Sequence, residues 1–285
     1  MIRGVLSLLR PKQWVKNVLV AAAPLAAGTL LHADVAVDTL RAFIVFCLAS
    51  SATYCFNDVL DAEADARHPT KCRRPVASGV VSRPVALGVS VVLAGGALAL
   101  AGPLSFALVV AGYLAVNVAY SSWLKHRPVI ELGLVSSGFL LRAVGGGLAT
   151  DLPLSQWFLI VTAFGSLFMV TGKRLSELTA AEDAGAVVRR SLTYYPLSYL
   201  RMILGITAGV TITGYCLWAF EVGANHPRGV WTAISIAPFV LAIMRYALDT
   251  DLGRVEEPEQ VVLRDPTLQL LGLLWLVTFA VGVTP

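Results

Sequence analysis

Residues 40–65 read Leu40-Arg41-Ala42-Phe43-Ile44-Val45-Phe46-Cys47-Leu48-Ala49-Ser50-Ser51-Ala52-Thr53-Tyr54-Cys55-Phe56, then without a break Asn57-Asp58-Val59-Leu60-Asp61-Ala62-Glu63-Ala64-Asp65. The first part is an apolar run close to the length that spans a bilayer. The second is acidic, and Arg67, Lys71, Arg73 and Arg74 follow it at once. On one helix Asp58, Asp61 and Asp65 fall at i, i+3 and i+7, within about 60° of one another, while Glu63 points elsewhere. Three carboxylates on one stripe repel unless a cation sits among them. Hard oxygen ligands suit Mg²⁺, which takes one or two carboxylates and completes its octahedron with water and substrate phosphates. The stretch therefore predicts a Mg²⁺-diphosphate site beside a membrane, with the downstream bases holding phosphate.

Working outward, the 285 residues are 56% hydrophobic and 14% charged, against about 25% charged in soluble domains. This is the composition of an all-α, polytopic membrane protein. Apolar stretches at 18–33, 40–56, 84–101, 103–120, 129–149, 155–172, 201–220, 229–247 and 267–283 predict nine transmembrane helices in a single domain over 1–285. The first resembles a secretory signal in being short and ending near small residues, but eight further spans follow, so a retained helix is expected. The four cysteines, Cys47, Cys55, Cys72 and Cys216, show no zinc spacing.

Basic residues mark the cytoplasmic side. With the N-terminus inside, that side receives Arg3, Arg10, Lys12 and Lys16 in the tail and nearly all the loop bases, while the other receives Arg41 and Arg228. Arg142 lies inside a span. The orientation expected is N-in and, with nine spans, C-out, in the plasma membrane. The same loops hold most of the acids, so the face carries both signs. Its excess of positive charge suits anionic headgroups, and no nucleic-acid partner is expected. The polar stretches 57–83, 173–200 and 245–266 follow the second, sixth and eighth spans, which would gather them over one mouth of the bundle. Gly102-Pro103 and Thr150-Asp151-Leu152-Pro153 read as tight turns on the far side. Gly145-Gly146-Gly147 predicts either a thinned helix at a close contact or a ligand approach.

The run Asn57, Asp58, Asp61, Asp65 resembles the Asn-Asp-x-x-Asp-x-x-x-Asp motif of the UbiA superfamily of intramembrane transferases. The resemblance extends to Leu9-Arg10-Pro11-Lys12-Gln13-Trp14-Val15-Lys16-Asn17, to His68-Pro69-Thr70-Lys71-x-x-Arg74-Pro75-Val76-Ala77-Ser78-Gly79 and to Tyr120-Ser121-Ser122-Trp123-Leu124-Lys125. It implies a nine-helix UbiA-like bundle. Where prenyltransferases of the superfamily carry a second Asp-rich motif, this chain has Gly172-Lys173-Arg174-Leu175-Ser176-Glu177-Leu178. Two cations and one acid suit a donor with phosphate in a second place, and arginine favours bidentate contact. That change, with Gly253–Asp265, resembles the branch of decaprenyl-phosphate phosphoribosyltransferases. The branch implies 5-phosphoribosyl 1-diphosphate as donor, a polyprenyl phosphate as acceptor and a product feeding lipid-linked arabinose for cell-wall arabinan.

On this reading Asp58, Asp61 and Lys71 are the catalytic residues, and Asp58, Asp61 and Asp65 hold Mg²⁺. Lys16, Asn17, Asn57, Arg74, Tyr120, Lys125, Lys173, Arg174 and Glu177 line the substrates. Each has a plainer role open to it: interfacial charge for Lys16, a belt position for Trp14, and an i, i+4 ion pair for Lys173 and Glu177. Arg142 either reaches the cavity or pairs internally, with Glu131 as the partner at hand. Two rivals remain: ordinary prenyl transfer, which lacks its second Asp motif here, and transport, whose ionisable groups lie near the midplane. Homo-oligomerisation is compatible with the sequence, and no residue pattern specifies it.

Overall fold

The computed structural model describes residues 2–184, 194–225, 227–255, 261–262 and 264–284. Among them every regular element is a helix, and eight helices are long and apolar enough to cross a membrane. The chain divides into two compact units. One comprises Met1–Pro24, Leu30–Lys125 and Leu141–Pro153, the other Leu25–Thr29, His126–Leu140 and Leu154–Pro285.

In the first unit α1 (Ile2–Leu8), a 3₁₀ helix (Pro11–Ala21) and the start of α2 (Ala22–Ala26), whose last two residues fall in the second unit, precede α3 (Ala33–Leu60). With no proline or glycine inside, α3 runs 28 residues, about 42 Å. The one-turn helix α4 (Ala62–Ala66) follows it. α5 (Arg83–Leu100) starts on Pro84, whose missing N–H costs nothing in a first turn. Gly102, at φ +78°, turns the chain into α6 (Leu104–Ser122). Phe46 of α3 packs against Phe106 and edge-on against Tyr113 of α6, with ring centroids 6.0 and 5.5 Å apart. A second apolar cluster, Leu8, Cys55, Ala62, Val76, Val81 and Ala86, lies under the acidic motif.

The expected first span, 18–33, is not one α-helix. Residues 11–21 wind as 3₁₀, and the five-residue α2 contains Pro24. Proline at 24 removes the N–H that would have bonded Val20 O in an α-turn. The glycine triplet does not thin its helix either, because α7 (Ile130–Ala149) runs through it. A β-carbon on Gly146 would stand 1.9 Å from Val20 O, and one on Gly145 would stand 2.7 Å from the Phe46 ring. Close approach is the reason for both glycines.

The second unit holds the first half of α7, then α8 (Gln156–Ala184), α9 (Leu197–Asn225), α10 (Val230–Ile234), α11 (Ile236–Asp251) and α12 (Pro266–Val283). α8 continues 12 residues beyond the apolar run ending at 172, so the Lys173–Leu178 motif lies on a helix. Tyr215 stacks on Phe239 at 4.1 Å, and its hydroxyl meets Ser235 Oγ and Trp275 Nε1 at 2.6 and 2.8 Å. Aromatic bulk and satisfied polar tips are thus combined inside the unit. Asp265 caps α12 through the amides of Thr267 and Leu268 and takes Arg245 Nε at 2.7 Å. Burial pushes its carboxyl up, but the Arg245 and amide hydrogen bonds prevail and hold it at about 2. Residues 256–260 and 263 of the Gly253–Asp265 resemblance lie outside the described residues.

Candidate active site

The acidic motif straddles a break. α3 ends at Leu60, Asp61 has φ −90° and ψ 1°, and α4 begins at Ala62. The α-type backbone bonds persist across it, with Asp61 N donating to Asn57 O at 2.9 Å and Asp65 N to Asp61 O at 2.8 Å. Asn57, Asp61 and Asp65 therefore form a row, one residue per turn. Asp58 lies beside that row, in line with Ser51, Cys55 and Ala62, and it is buried at 2% exposure as Asp65 is at 4%. Among the described residues no group of three acids, histidines or cysteines is placed to hold a metal.

Every carboxylate of the motif meets a base. Asp58 Oδ1 accepts from Arg10 Nη2 at 2.5 Å and from Arg74 Nη1 at 3.4 Å. Arg74 Nη1 also lies 2.6 Å from Asp65 Oδ2, and Lys71 Nζ lies 4.0 Å from Asp65 Oδ1. Lys125, in a 3₁₀ turn after α6, reaches Asp61 Oδ1 at 2.5 Å. Glu63 points away to Arg83 on the exposed side. His68 is a loop organiser, its Nδ1 accepting from the amides of Thr70 and Lys71 at 3.3 and 3.4 Å.

Arg10 joins the site although it is not among the expected site residues. It sits at φ 49° and ψ 59° between α1 and the 3₁₀ helix, a left-handed conformation costing a residue with a β-carbon about 1–2 kcal/mol. Its guanidinium lies 4.9 Å over the Tyr54 ring, a cation–π contact that helps offset the strain. The segment carrying it is pinned to α3: Ser51 Oγ donates to Leu9 O at 2.9 Å and accepts from Trp14 Nε1 at 3.1 Å. The sequence signal for Arg10 is its place in the Leu9–Asn17 segment.

Asn17 is fully buried. Its Nδ2 donates to Ser50 Oγ and Cys47 Sγ, both at 3.3 Å, and its Oδ1 accepts from Arg142 Nε at 2.7 Å. Arg142 also donates to Tyr113 OH at 2.8 Å and stacks over that ring. Arg142 thus bonds internally to Asn17 and Tyr113. Glu131, eleven residues and about 16 Å of helix rise away, pairs with Arg174. Lys16 is half-buried on the 3₁₀ helix, and Tyr120 is half-buried near the end of α6.

In the second unit Arg174 is buried and grips Glu131 with both edges of its fork, Nε to Oε1 at 3.2 Å and Nη2 to Oε2 at 3.0 Å. Its Nη1 reaches Glu177 Oε2 at 3.4 Å. Glu177 therefore meets its i−3 neighbour. Lys173 is half-buried beside this cluster. Just before α7, Val129 has φ +67°, an outlier for a β-branched residue, and its N–H donates to Tyr195 OH at 2.6 Å. Burial pushes the Tyr195 hydroxyl up from its usual range.

The first cluster is suited to a hard divalent ion and phosphate. Asp61 and Asp65 offer oxygen donors one turn apart with Asn57 in the same row, and Mg²⁺ needs one or two protein carboxylates. The bases already neutralising those acids are of the type that binds phosphate oxygens.

Residues 18–281 match the UbiA prenyltransferase family. The chain is 50% identical to the decaprenyl-phosphate phosphoribosyltransferase of Mycobacterium tuberculosis, covering 99% of this chain and 95% of that protein. It is 45% identical to the enzyme of the same name from Corynebacterium glutamicum, over 99% and 88% respectively. Its backbone is similar to a UbiA homolog from Archaeoglobus fulgidus solved with DMAPP and Mg²⁺, with a TM-score of 0.68 and 18% identity over 98% of this chain and 97% of that one. With its all-helical fold and its acidic motif ending a membrane helix, the chain belongs to the UbiA prenyltransferase family.

Proposed function

We propose that this protein transfers a 5-phosphoribosyl group from 5-phosphoribosyl 1-diphosphate to decaprenyl phosphate or a similar polyprenyl phosphate, releasing diphosphate. The observation that carries the reading is the near-full-length identity of about half to enzymes named for that activity, joined to a second motif of Lys173, Arg174 and Glu177 in place of an acidic one. The product would supply lipid-linked arabinose for cell-wall arabinan.

Asp58, Asp61 and Asp65 are the residues that would hold Mg²⁺, which would supply positive charge for the leaving diphosphate. Asn57, Lys71 and Arg74 add hydrogen bonds to its oxygens. As the C1–O bond breaks, its electron pair leaves with the diphosphate, and an acceptor phosphate oxygen attacks C1 from the opposite face. A phosphate monoester is already anionic at neutral pH, so the nucleophile needs no general base and no proton moves. Lys173 provides the charge for the donor's terminal monophosphate. Arg174 orders the surrounding helix through Glu131 rather than spending its fork on substrate. The excess of Lys and Arg in the tail and on one set of loops supports a plasma-membrane protein with its N-terminus and site cytoplasmic.

The test is a transfer assay with purified protein in detergent, Mg²⁺, labelled donor and decaprenyl phosphate. Label entering the organic phase and lost with EDTA supports the reading. No such transfer, in a preparation that moves a prenyl group from prenyl diphosphate to an acceptor, overturns it.

A further inference from the structure

Immediately before α7 the chain makes a three-residue turn. Ile130 N donates to Pro128 O at 2.8 Å, and Val129 between them has φ +67°. A turn of this hand, closed by an i to i+2 bond, is rare and strained, and a β-branched residue suits it least. Burial of the side chain does not hold Val129 there, since the residue is 56% exposed. Its N–H is held instead, donating to the hydroxyl of Tyr195 at 2.6 Å. Tyr195 is 4% exposed, stacks on Tyr199 with ring centroids 6.0 Å apart and packs in the apolar cluster that contains Leu132 and Leu175. The hydroxyl is thus a fixed post, within electrostatic reach of Glu131 and Arg174.

The turn sets where α7 begins. Val129 O accepts from Gly133 N at 3.1 Å as the helix opens. Glu131, in that first turn, is 1% exposed and takes both edges of the Arg174 fork. Arg174 adjoins Lys173 on α8 and reaches Glu177 at 3.4 Å. A shift in the start of α7 is therefore passed through two buried charges to the second motif. Strain that one buried hydroxyl sustains beside such a motif points to a use for it.

We propose that Tyr195 is a positioning residue for the donor. Its hydroxyl latches the strained turn at Val129, which fixes Glu131 and, through Arg174, the placing of Lys173 for the donor's terminal phosphate. This rests on the phosphoribosyl-transfer reading for the identity of the donor, whereas the latch itself stands apart from it.

Two measurements on the purified protein test it: the KM of each substrate in the transfer assay, and thermal unfolding. Tyr195→Phe keeps the ring and its stack and removes the hydroxyl. Its donor KM is expected to rise about 10-fold, within the roughly 100-fold that a misplacement of about 1 Å can cost, while the acceptor KM stays at the wild-type value. Adding Val129→Gly, where glycine holds a positive φ without strain, is expected to bring the donor KM back towards wild type. A hydroxyl that serves packing alone lowers Tm and leaves the donor KM unmoved, and that result overturns the proposal. So do equal rises in both KM values, or a raised donor KM that glycine does not restore. Should Tyr195→Phe not fold, the double variant decides: recovered folding with a wild-type donor KM supports the latch, and continued failure to fold overturns it. Wild-type protein that transfers no phosphoribosyl group refutes the reaction and leaves Tm to judge the latch. Recovery of the Tyr195→Phe loss by Val129→Gly then supports it, and additive losses overturn it.

Discussion

Lys125 Nζ lies 2.5 Å from Asp61 Oδ1, joining the turn after α6 to the break after α3 across 64 residues of sequence. The carboxylate is 27% exposed, so the pair can open without unpacking the unit. Asp61→Ala is expected to lower Mg²⁺-dependent transfer at least about 100-fold, the scale for removing one group that stabilises developing charge. Size-exclusion behaviour and helicity should match wild type. Turnover near the wild-type rate would remove Asp61 from the metal site.

Lys173→Ala should raise the donor KM and leave the acceptor KM alone. A lost hydrogen bond to a charged group costs about 1.5–3 kcal/mol, or roughly 10- to 100-fold. Initial-rate kinetics with each substrate varied in turn would read the split, and an unchanged donor KM would leave the basic second motif without its assigned role.

Glu131 and Arg174 are both buried, so removing one strands the other. Glu131→Ala is expected to destabilise the protein by about 3–5 kcal/mol, seen as a lower Tm in detergent. Arg174→Lys keeps the charge but loses the two-pronged geometry and should fall between that variant and wild type.

Gly146 and Gly95 make a paired test of close approach. Gly146→Ala drives a methyl into the Val20 carbonyl, and backbone cannot swing aside as a side chain does, so a loss of about 3 kcal/mol is expected. Gly95 on α5 has nothing within 4 Å of an added β-carbon. There alanine should be neutral or stabilising by up to about 1 kcal/mol, and thermal unfolding of both variants would show the contrast.

Asp265 has a lowered folded-state value of about 2, below the usual 3.9 of an unfolded aspartate. Its contribution is therefore present above about pH 4 and lost as pH falls towards 2. The stability of Asp265→Asn should fall less steeply than wild type across that window, measured by thermal unfolding at stepped pH. Parallel slopes would remove the assignment.

Hydropathy made most of the helices legible: the runs 84–101, 129–149 and 267–283 lie almost on Arg83–Leu100, Ile130–Ala149 and Pro266–Val283. It could not see that Pro24 unmakes the α-turn around Val20. In the site, residue type was legible and facing was not. An ideal helical wheel groups Asp58 with Asp61 and Asp65, and it does not show that Asp58 and Asp65 are both buried, because Ser51, Cys55 and Ala62 are small residues that do not announce a core. The partner of Arg174 lies 43 residues away, and no local spacing encodes such a contact. Arg10 acquires its meaning only when the chain returns to lay Asp58 beside it.

The 3₁₀ winding of residues 11–21 has a consequence for sidedness. Such a helix climbs about 2.0 Å per residue against 1.5 Å for an α-helix, so Pro11–Ala21 and Ala22–Ala26 laid end to end reach about 30 Å. That is the hydrocarbon thickness an α-helix needs about 20 residues to cover. Sixteen residues here have the reach of one more crossing without forming a transmembrane α-helix. A bilayer measures distance rather than residue number, and an even or odd total of crossings decides whether the two ends of the chain face the same compartment.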